Sequence, residues 1–131
     1  MAKQIILPQK IAKPRGNYSH GVAISPARLL FIAGQTAVDS SGNIVGIGDA
    51  SRQAKQVYEN IGAILTDAGM TFSDIVKITT YVTDVSYREK VNEVRIQDLK
   101  KDFPASTLVV VKGLAREEFM VEVEAIACTA V

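Results

Sequence analysis

Near its C-terminus the sequence reads FMVEVEAIACTA, residues 119–130, and places two carboxylates, Glu122 and Glu124, in an otherwise apolar run. In an extended strand this spacing puts both side chains on one face, roughly 7 Å apart, with Met120 and Ile126 as their neighbours on that face. A charge left unpaired on a buried face costs several kcal/mol. Three readings are open. Each carboxylate has an ion-pair partner, for which Lys77 is the best-placed candidate; or the face is wet; or one carboxylate stands in a cleft with a raised pKa, suited to general acid–base chemistry.

A second stretch of interest is FPASTLVVVKG, residues 103–113, where small residues including Ser106 stand at the mouth of an apolar run. Elsewhere chemistry-bearing residues are sparse. One His, His20, and one Cys, Cys128, do not make a zinc spacing, so no metal site is expected. GxxxxGK[ST] and GxGxxG are absent, which removes the phosphate-loop classes. The net charge of +1 comes from interleaved Lys, Arg, Asp and Glu. It leaves no basic stripe for duplex nucleic acid and no polybasic membrane patch. The apolar run at the N-terminus is three residues, too short for a signal segment, and no stretch approaches a membrane span. A single Cys makes no internal disulfide and fits a reducing compartment, so a cytoplasmic protein is expected. Cys128 and the tyrosines Tyr58 and Tyr81 read as packing residues.

The 131 residues, 47% hydrophobic and 22% charged, fit one domain over residues 1–131. Pro14, Gly16 and Asn17 mark a leading turn, and a short strand follows with His20, Val22 and Ile24 on one face. SPAR, residues 25–28, reads as a turn. LLFIA, residues 29–33, is apolar on both faces, so a central strand covered on both sides is expected. DSSGN, residues 39–43, is a further turn. Ala54, Val57, Tyr58, Ile61, Leu65 and Ala68 recur at steps of three and four, predicting a helix from an Asp49 N-cap to Gly69 at C′. DIVKITTYVTD, residues 74–84, alternates, with Val76, Ile78, Thr80 and Val82 on one face. SYRE, residues 86–89, reads as a capping box opening a second helix with Tyr87, Val91, Val94 and Leu99 inward. The strand after Pro104, a KGLAREE loop and the glutamate strand complete a β, β, α, β, α, β, β order. The strand–helix–strand crossover between residues 29 and 84 implies at least one parallel pair. Two helices on one face of a mixed sheet make an α+β sandwich. Its other face, uncovered and apolar, predicts oligomerisation.

Taken in order, NYSHGV, LLFIAGQ, ENIGAILTDAG, DIVKITTYVTD, VNEV, FPAST and VEVEAIA resemble the Rid superfamily of reactive-intermediate deaminases, also labelled endoribonuclease L-PSP, over residues 15–128. The resemblance implies a chorismate-mutase-like fold, a homotrimer with clefts between subunits, and hydrolysis of enamines or imines to a keto compound and ammonia without a cofactor. It implies Glu122 as the residue that handles water, and Tyr18, Asn92 and the Ala33-Gly34-Gln35 strand end as substrate-binding positions. The deaminases' strand-end serine is replaced by Ala33. Their arginine after FPA, which grips the substrate carboxylate as a bidentate fork, is replaced by Ser106. This departure places the chain with arginine-lacking members and away from ordinary 2-aminoacrylate deamination. Arg116, in the loop before the last strand, and Arg15, three residues before Tyr18, are either solvated surface cations or substitutes reaching a cleft rim; His20 could border the same cleft.

Three functions follow. The first is hydrolysis of a small-molecule C=N bond, with Glu122 handling water and protons. The second is a non-catalytic trimer that holds a metabolite in the same cleft. The third, RNA cleavage, rests on the older family label alone: the chain is near neutral, its one His lacks a partner in sequence, and no aromatic stacking platform is evident.

Overall fold

The carboxylate of Asp49 accepts a hydrogen bond from the Arg52 N–H at 3.1 Å and starts the longer helix, α1, Ala50–Asp67. Its apolar stripe turns inward: Val57, Tyr58, Ile61 and Leu65 are each at most 1% exposed, and each such burial contributes about 2 kcal/mol. Gly69 ends the helix at φ +73°, a left-handed conformation in which a Cβ would be strained. The computed structural model describes residues 2–25 and 27–130. Around α1 stand β1 (Ala2–Ile6), β2 (Gly21–Ser25), β3 (Arg28–Gln35), β4 (Ile75–Val82), α2 (Arg88–Asp98), β5 (Ala105–Val110) and β6 (Val121–Thr129). The SPAR turn includes Pro26, which lies outside the described residues. No helix among the described residues is long and apolar enough to cross a membrane.

Four strands form a mixed sheet in the order β3-β6-β4-β5, with β6 antiparallel to both neighbours and β4 parallel to β5. The two helices pack on one face, giving the α+β architecture. β3 and β4 run in the same direction, as the crossover requires, but β6 lies between them; the bonded parallel pair is β4–β5, connected through α2. LLFIA is therefore not a central strand covered on both sides. It belongs to the sheet's edge strand, and of its side chains Ile32 is buried while Leu29 and Phe31 are 47% and 70% exposed. Its apolar outer residues face outward with the uncovered side of the sheet.

Two further expectations change. SYRE does not cap α2: Asp84 accepts from the Ser86 N–H and opens a 3-10 turn, Val85–Tyr87, that runs into the helix without a side-chain cap. The carboxylate two residues upstream caps the Ser86 N–H and starts the turn there, leaving Ser86 inside it rather than at its head. The first strand, β1, was not foreseen. It is antiparallel to β2 in a separate two-stranded sheet, and Lys3 donates to the Ser73 carbonyl at 2.9 Å.

Three amides on α1 position the loops that approach the sheet. Gln53, fully buried, donates to the Gly46 and Glu118 carbonyls and accepts from the Met120 N–H at 2.8 Å. Gln56 donates to the Asn60 oxygen, and Asn60 in turn donates to the Thr36 and Val38 carbonyls. Replacing Gln53 by Leu would leave two part-buried backbone groups, the Glu118 carbonyl and the Met120 N–H, without a partner, while the Gly46 carbonyl keeps the Asp49 N–H. Each costs about 1–3 kcal/mol, so denaturant unfolding of Gln53→Leu is expected to show a loss of at least about 2 kcal/mol.

Candidate functional site

Glu122 and Ser106 sit on opposite faces of the sheet. On β4 the even residues Val76, Ile78, Thr80 and Val82 are buried beneath the helices, whereas Lys77, Thr79 and Tyr81 are only partly buried on the other side. Directly paired residues share a face. Ser106 pairs with Ile78 and belongs to the helix face; Glu122 pairs with Tyr81 and Glu124 with Thr79, so both carboxylates belong to the uncovered face. Within one chain the predicted residues therefore form two groups with the sheet between them.

The first group surrounds a cavity of about 470 Å³ between the leading turn, α2 and the start of β5. Tyr18, Asn92 and Ser106 all line it, with Thr80 in its floor. Ser19 brings Tyr18 there: its N–H donates to the Pro104 carbonyl at 3.0 Å, its hydroxyl donates to the Phe103 carbonyl, and a parallel bridge joins it to Ala105. The FPA segment is thus stitched to the turn that carries Tyr18. Arg95 completes the wall. It is 6% exposed, and it donates through Nε and Nη2 to Asn92 Oδ1 at 3.3 and 3.1 Å and through Nη2 to the Asn17 carbonyl. Burial lowers its pKa from the ordinary guanidinium value. Sequence reading did not single out Ser19 or Arg95; the only signal was a polar residue spaced one turn after Asn92 on the inward stripe. Arg15 also lines this cavity, but Arg116 does not: its guanidinium is 62% exposed and 3.6 Å from Glu118 in the loop before β6. His20 packs edge-on against Tyr18 with ring centroids 5.7 Å apart and bonds the Ala12 carbonyl.

The second group lies where β3 meets β6. Ile32 pairs with Ala125 and Gln35 with Val123, so Ala33 and Gly34 together face Glu124 in a β-bulge. The bulge carries the Gly34 backbone over the Glu122 side chain. A Cβ at Gly34 would collide with the carboxylate, 2.8 Å from Cδ and 3.1 Å from Cγ. Gly34 is therefore required by close approach, with no unusual φ involved. The Gln35 amide folds back to the Ala33 carbonyl at 3.0 Å and so braces the bulge. Lys77 is not the glutamates' ion-pair partner: its ammonium donates to the Thr107 hydroxyl at 2.7 Å on the neighbouring strand. Glu124 instead accepts from the Tyr81 hydroxyl at 2.6 Å. Tyr81 is thus a partner of the paired carboxylate as well as a packing residue.

With that geometry, relatives can be compared. The family described as endoribonuclease L-PSP matches residues 9–129. The chain belongs to that family. A RutC family protein of Pyrococcus abyssi is 39% identical over 97% of this chain and 98% of its own. A human 2-iminobutanoate/2-iminopropanoate deaminase is 34% identical over 97% and 90%. Among solved structures, a protein of unknown function of the conserved Rid family from Yersinia pestis superposes with a TM-score of 0.87 at 30% identity, covering 98% of this chain and all of its own. The two helices on a mixed sheet are thus the Rid arrangement.

The Tyr81–Glu124 bond gives this L-PSP family chain a pH signature. Hydrogen bonding to Glu124 is the main cause that raises the Tyr81 pKa from 10.0, and burial and the two glutamate charges add to it. A raised folded pKa means that the folded state favours the neutral phenol. The bond's contribution is complete below the ordinary tyrosine value and is lost as pH rises through the raised one. Tyr81→Phe is expected to be less stable than wild type at neutral pH, with the gap closing in alkaline solution; thermal melts across that range check this.

Proposed function

We propose that the chain hydrolyses a C=N bond of a small enamine or imine, in a site assembled from the cavity group of one copy and the Glu122 group of another. The observation that carries this reading is Gly34 making room for the Glu122 carboxylate at the bulge. A backbone shaped around one partly exposed carboxylate holds it ready for a proton-transfer role. The 34% identity with the human deaminase supports the reaction class. Leu29 and Phe31, exposed at the sheet edge, supply an apolar face that a second copy would bury, and a homotrimer is the assembly we propose. A cytoplasmic location accords with the single cysteine.

The chemistry balances without further reagents: water adds to the imine carbon, the nitrogen leaves as ammonia, and a carbonyl compound remains. Glu122 takes one proton from water as its oxygen bonds to carbon and passes it to the nitrogen. It then takes the adduct's hydroxyl proton as the carbonyl forms and passes that to the nitrogen as the C–N bond breaks, so both water protons leave with ammonia. Tyr18, Asn92 and Ser106 hold the substrate's polar groups through hydrogen bonds. Ser106, standing where deaminases of the resemblance carry arginine, lacks the charged fork. The protein is therefore proposed to act on a substrate other than 2-aminoacrylate.

Glu122→Gln keeps the shape and removes the proton acceptor. Ammonia release from a panel of imines, made in situ from amino acids, is expected to fall roughly 10²–10⁴-fold with the melting temperature little changed. Equal rates would remove Glu122 from the mechanism. A ligand-dependent rise in melting temperature with no ammonia from any imine would favour a non-catalytic binding trimer. Gly34→Ala is expected to displace the carboxylate, lowering kcat by at least about tenfold while the chain still folds; an unchanged kcat would separate the bulge from the chemistry.

A further inference from the structure

The cavity beside Ser106 carries a charge that the proposed hydrolysis does not use. Three guanidinium groups line it, Arg15, Arg88 and Arg95, against one carboxylate, Glu89. The ion pair found among the described residues is Arg116–Glu118, so none of the three cavity arginines has a carboxylate within ion-pair range there. Arg15 and Arg88 are exposed and, taken alone, would be ordinary solvated cations. Arg95 is different. It is 94% buried by its 6% exposure, and its Nη1 has no hydrogen-bond partner. A guanidinium stays charged in proteins, and burying it without a counter-charge costs several kcal/mol. An anion in the cavity would supply that counter-charge.

The polar groups beside Arg95 point to the same ligand. Because Arg95 donates to Asn92 Oδ1 through both Nε and Nη2, the oxygen of this amide is engaged. Its NH₂ group, with no acceptor among the described residues, is the side left for a ligand. The Ser106 hydroxyl is likewise without a side-chain partner there. Two neutral donors thus stand among three cations.

We infer that this cavity holds the acid end of the substrate, and that this acid carries two negative charges, as a dicarboxylate or a phosphate monoester does. The cation missing from strand β5 at Ser106 is supplied instead by helix α2 and the leading turn. Arg95 is the fixed member, and Arg88 and Arg15 close around the outer charge. Three cations against one carboxylate leave two positive charges to match, one more than a single carboxylate would neutralise. This inference rests on the reading above, because the ligand is taken to be the substrate of that same site.

The test is binding of malonate, inorganic phosphate and acetate to the full chain, by calorimetry and thermal shift at low ionic strength. Malonate or phosphate is expected to bind at least about tenfold more tightly than acetate, and more weakly as salt is added. Malonate above phosphate assigns a dicarboxylate; the reverse assigns a phosphate. The double variant Arg15→Gln/Arg88→Gln, altered only at exposed side chains, should lose at least about tenfold in that affinity. Arg95→Gln should lose more, but it also frees the Asn17 carbonyl, so the surface double variant decides if Arg95→Gln does not fold. Equal affinity for the three anions, or affinities unchanged in the double variant, would overturn the inference. Glu122→Gln separates the two proposals. Malonate affinity retained in Glu122→Gln while imine hydrolysis is lost upholds both. Arginine-dependent malonate binding in a protein that hydrolyses no imine upholds the anion site and sinks the enzymatic reading. Imine hydrolysis whose KM is untouched by the double variant sinks the anion site and leaves that reading standing.

Discussion

The alternation of side chains across β4 governs everything else in this molecule. β4 bonds β5 on one side and β6 on the other, so its pleat decides at once where both neighbours point their side chains. Ser106 follows Ile78 beneath the helices; Glu122 follows Tyr81 to the open face. A shift of register by one residue would exchange the two sets and bury the glutamates. The apolar even positions of β4 prevent that shift, since Ile78 and Val82 are completely buried. The same packing that stabilises the chain therefore keeps the carboxylate and the cavity apart within one copy, and on the proposed reading makes a second copy part of the chemistry.

Polar side chains on the helices then shape the two groups that the proposed reading makes half-sites. Gln53, Gln56 and Asn60 hold the loops flanking β3 and β6, and Asn60 fixes the chain beyond the bulge through the Thr36 and Val38 carbonyls. On the other helix Arg95 ties Asn17 to Asn92, while Ser19 ties the same turn to Phe103 and Pro104. The bonds from Asn60 to Thr36 and Val38, from Gln53 to Glu118 and Met120, from Arg95 to Asn17 and from Ser19 to Phe103 and Pro104 each join segments far apart in sequence and anchor both groups to the core.

Much of this was legible in the residues. The stripe of α1, the Asp49 cap, Gly69, the alternation of β4 and the shared face of Glu122 and Glu124 follow from local periodicity, and the structure keeps them. The ordered motifs also identified the family. What failed to show were features decided by partners remote in sequence. LLFIA looked central because its outer residues are apolar, but pattern alone does not distinguish cover by a helix from a face left open at an edge. Lys77 was the nearest cation in the alternation, yet a threonine on the parallel neighbour engages it, and a tyrosine satisfies Glu124. Asp84 caps the Ser86 amide itself, so the turn begins upstream and the cap moved with it. β1 is a short strand whose only partner is β2, and five residues carry too little pattern to announce it. Arg95 was hidden because a long cation on an inward stripe resembles a surface residue until its contacts are seen.

The central claim is that one working site draws on two copies of the chain. Mixing two inactive variants tests it: Glu122→Gln, defective in the open-face group, and Tyr18→Phe/Asn92→Ala, defective in the cavity group. The two are dissociated, combined and reassembled. If the groups meet between copies, hybrid assemblies contain some sites with both groups intact, and ammonia release returns to a sizeable fraction of wild type. If each copy works alone, every site in the mixture carries one defect, and activity stays at the level of the separate variants.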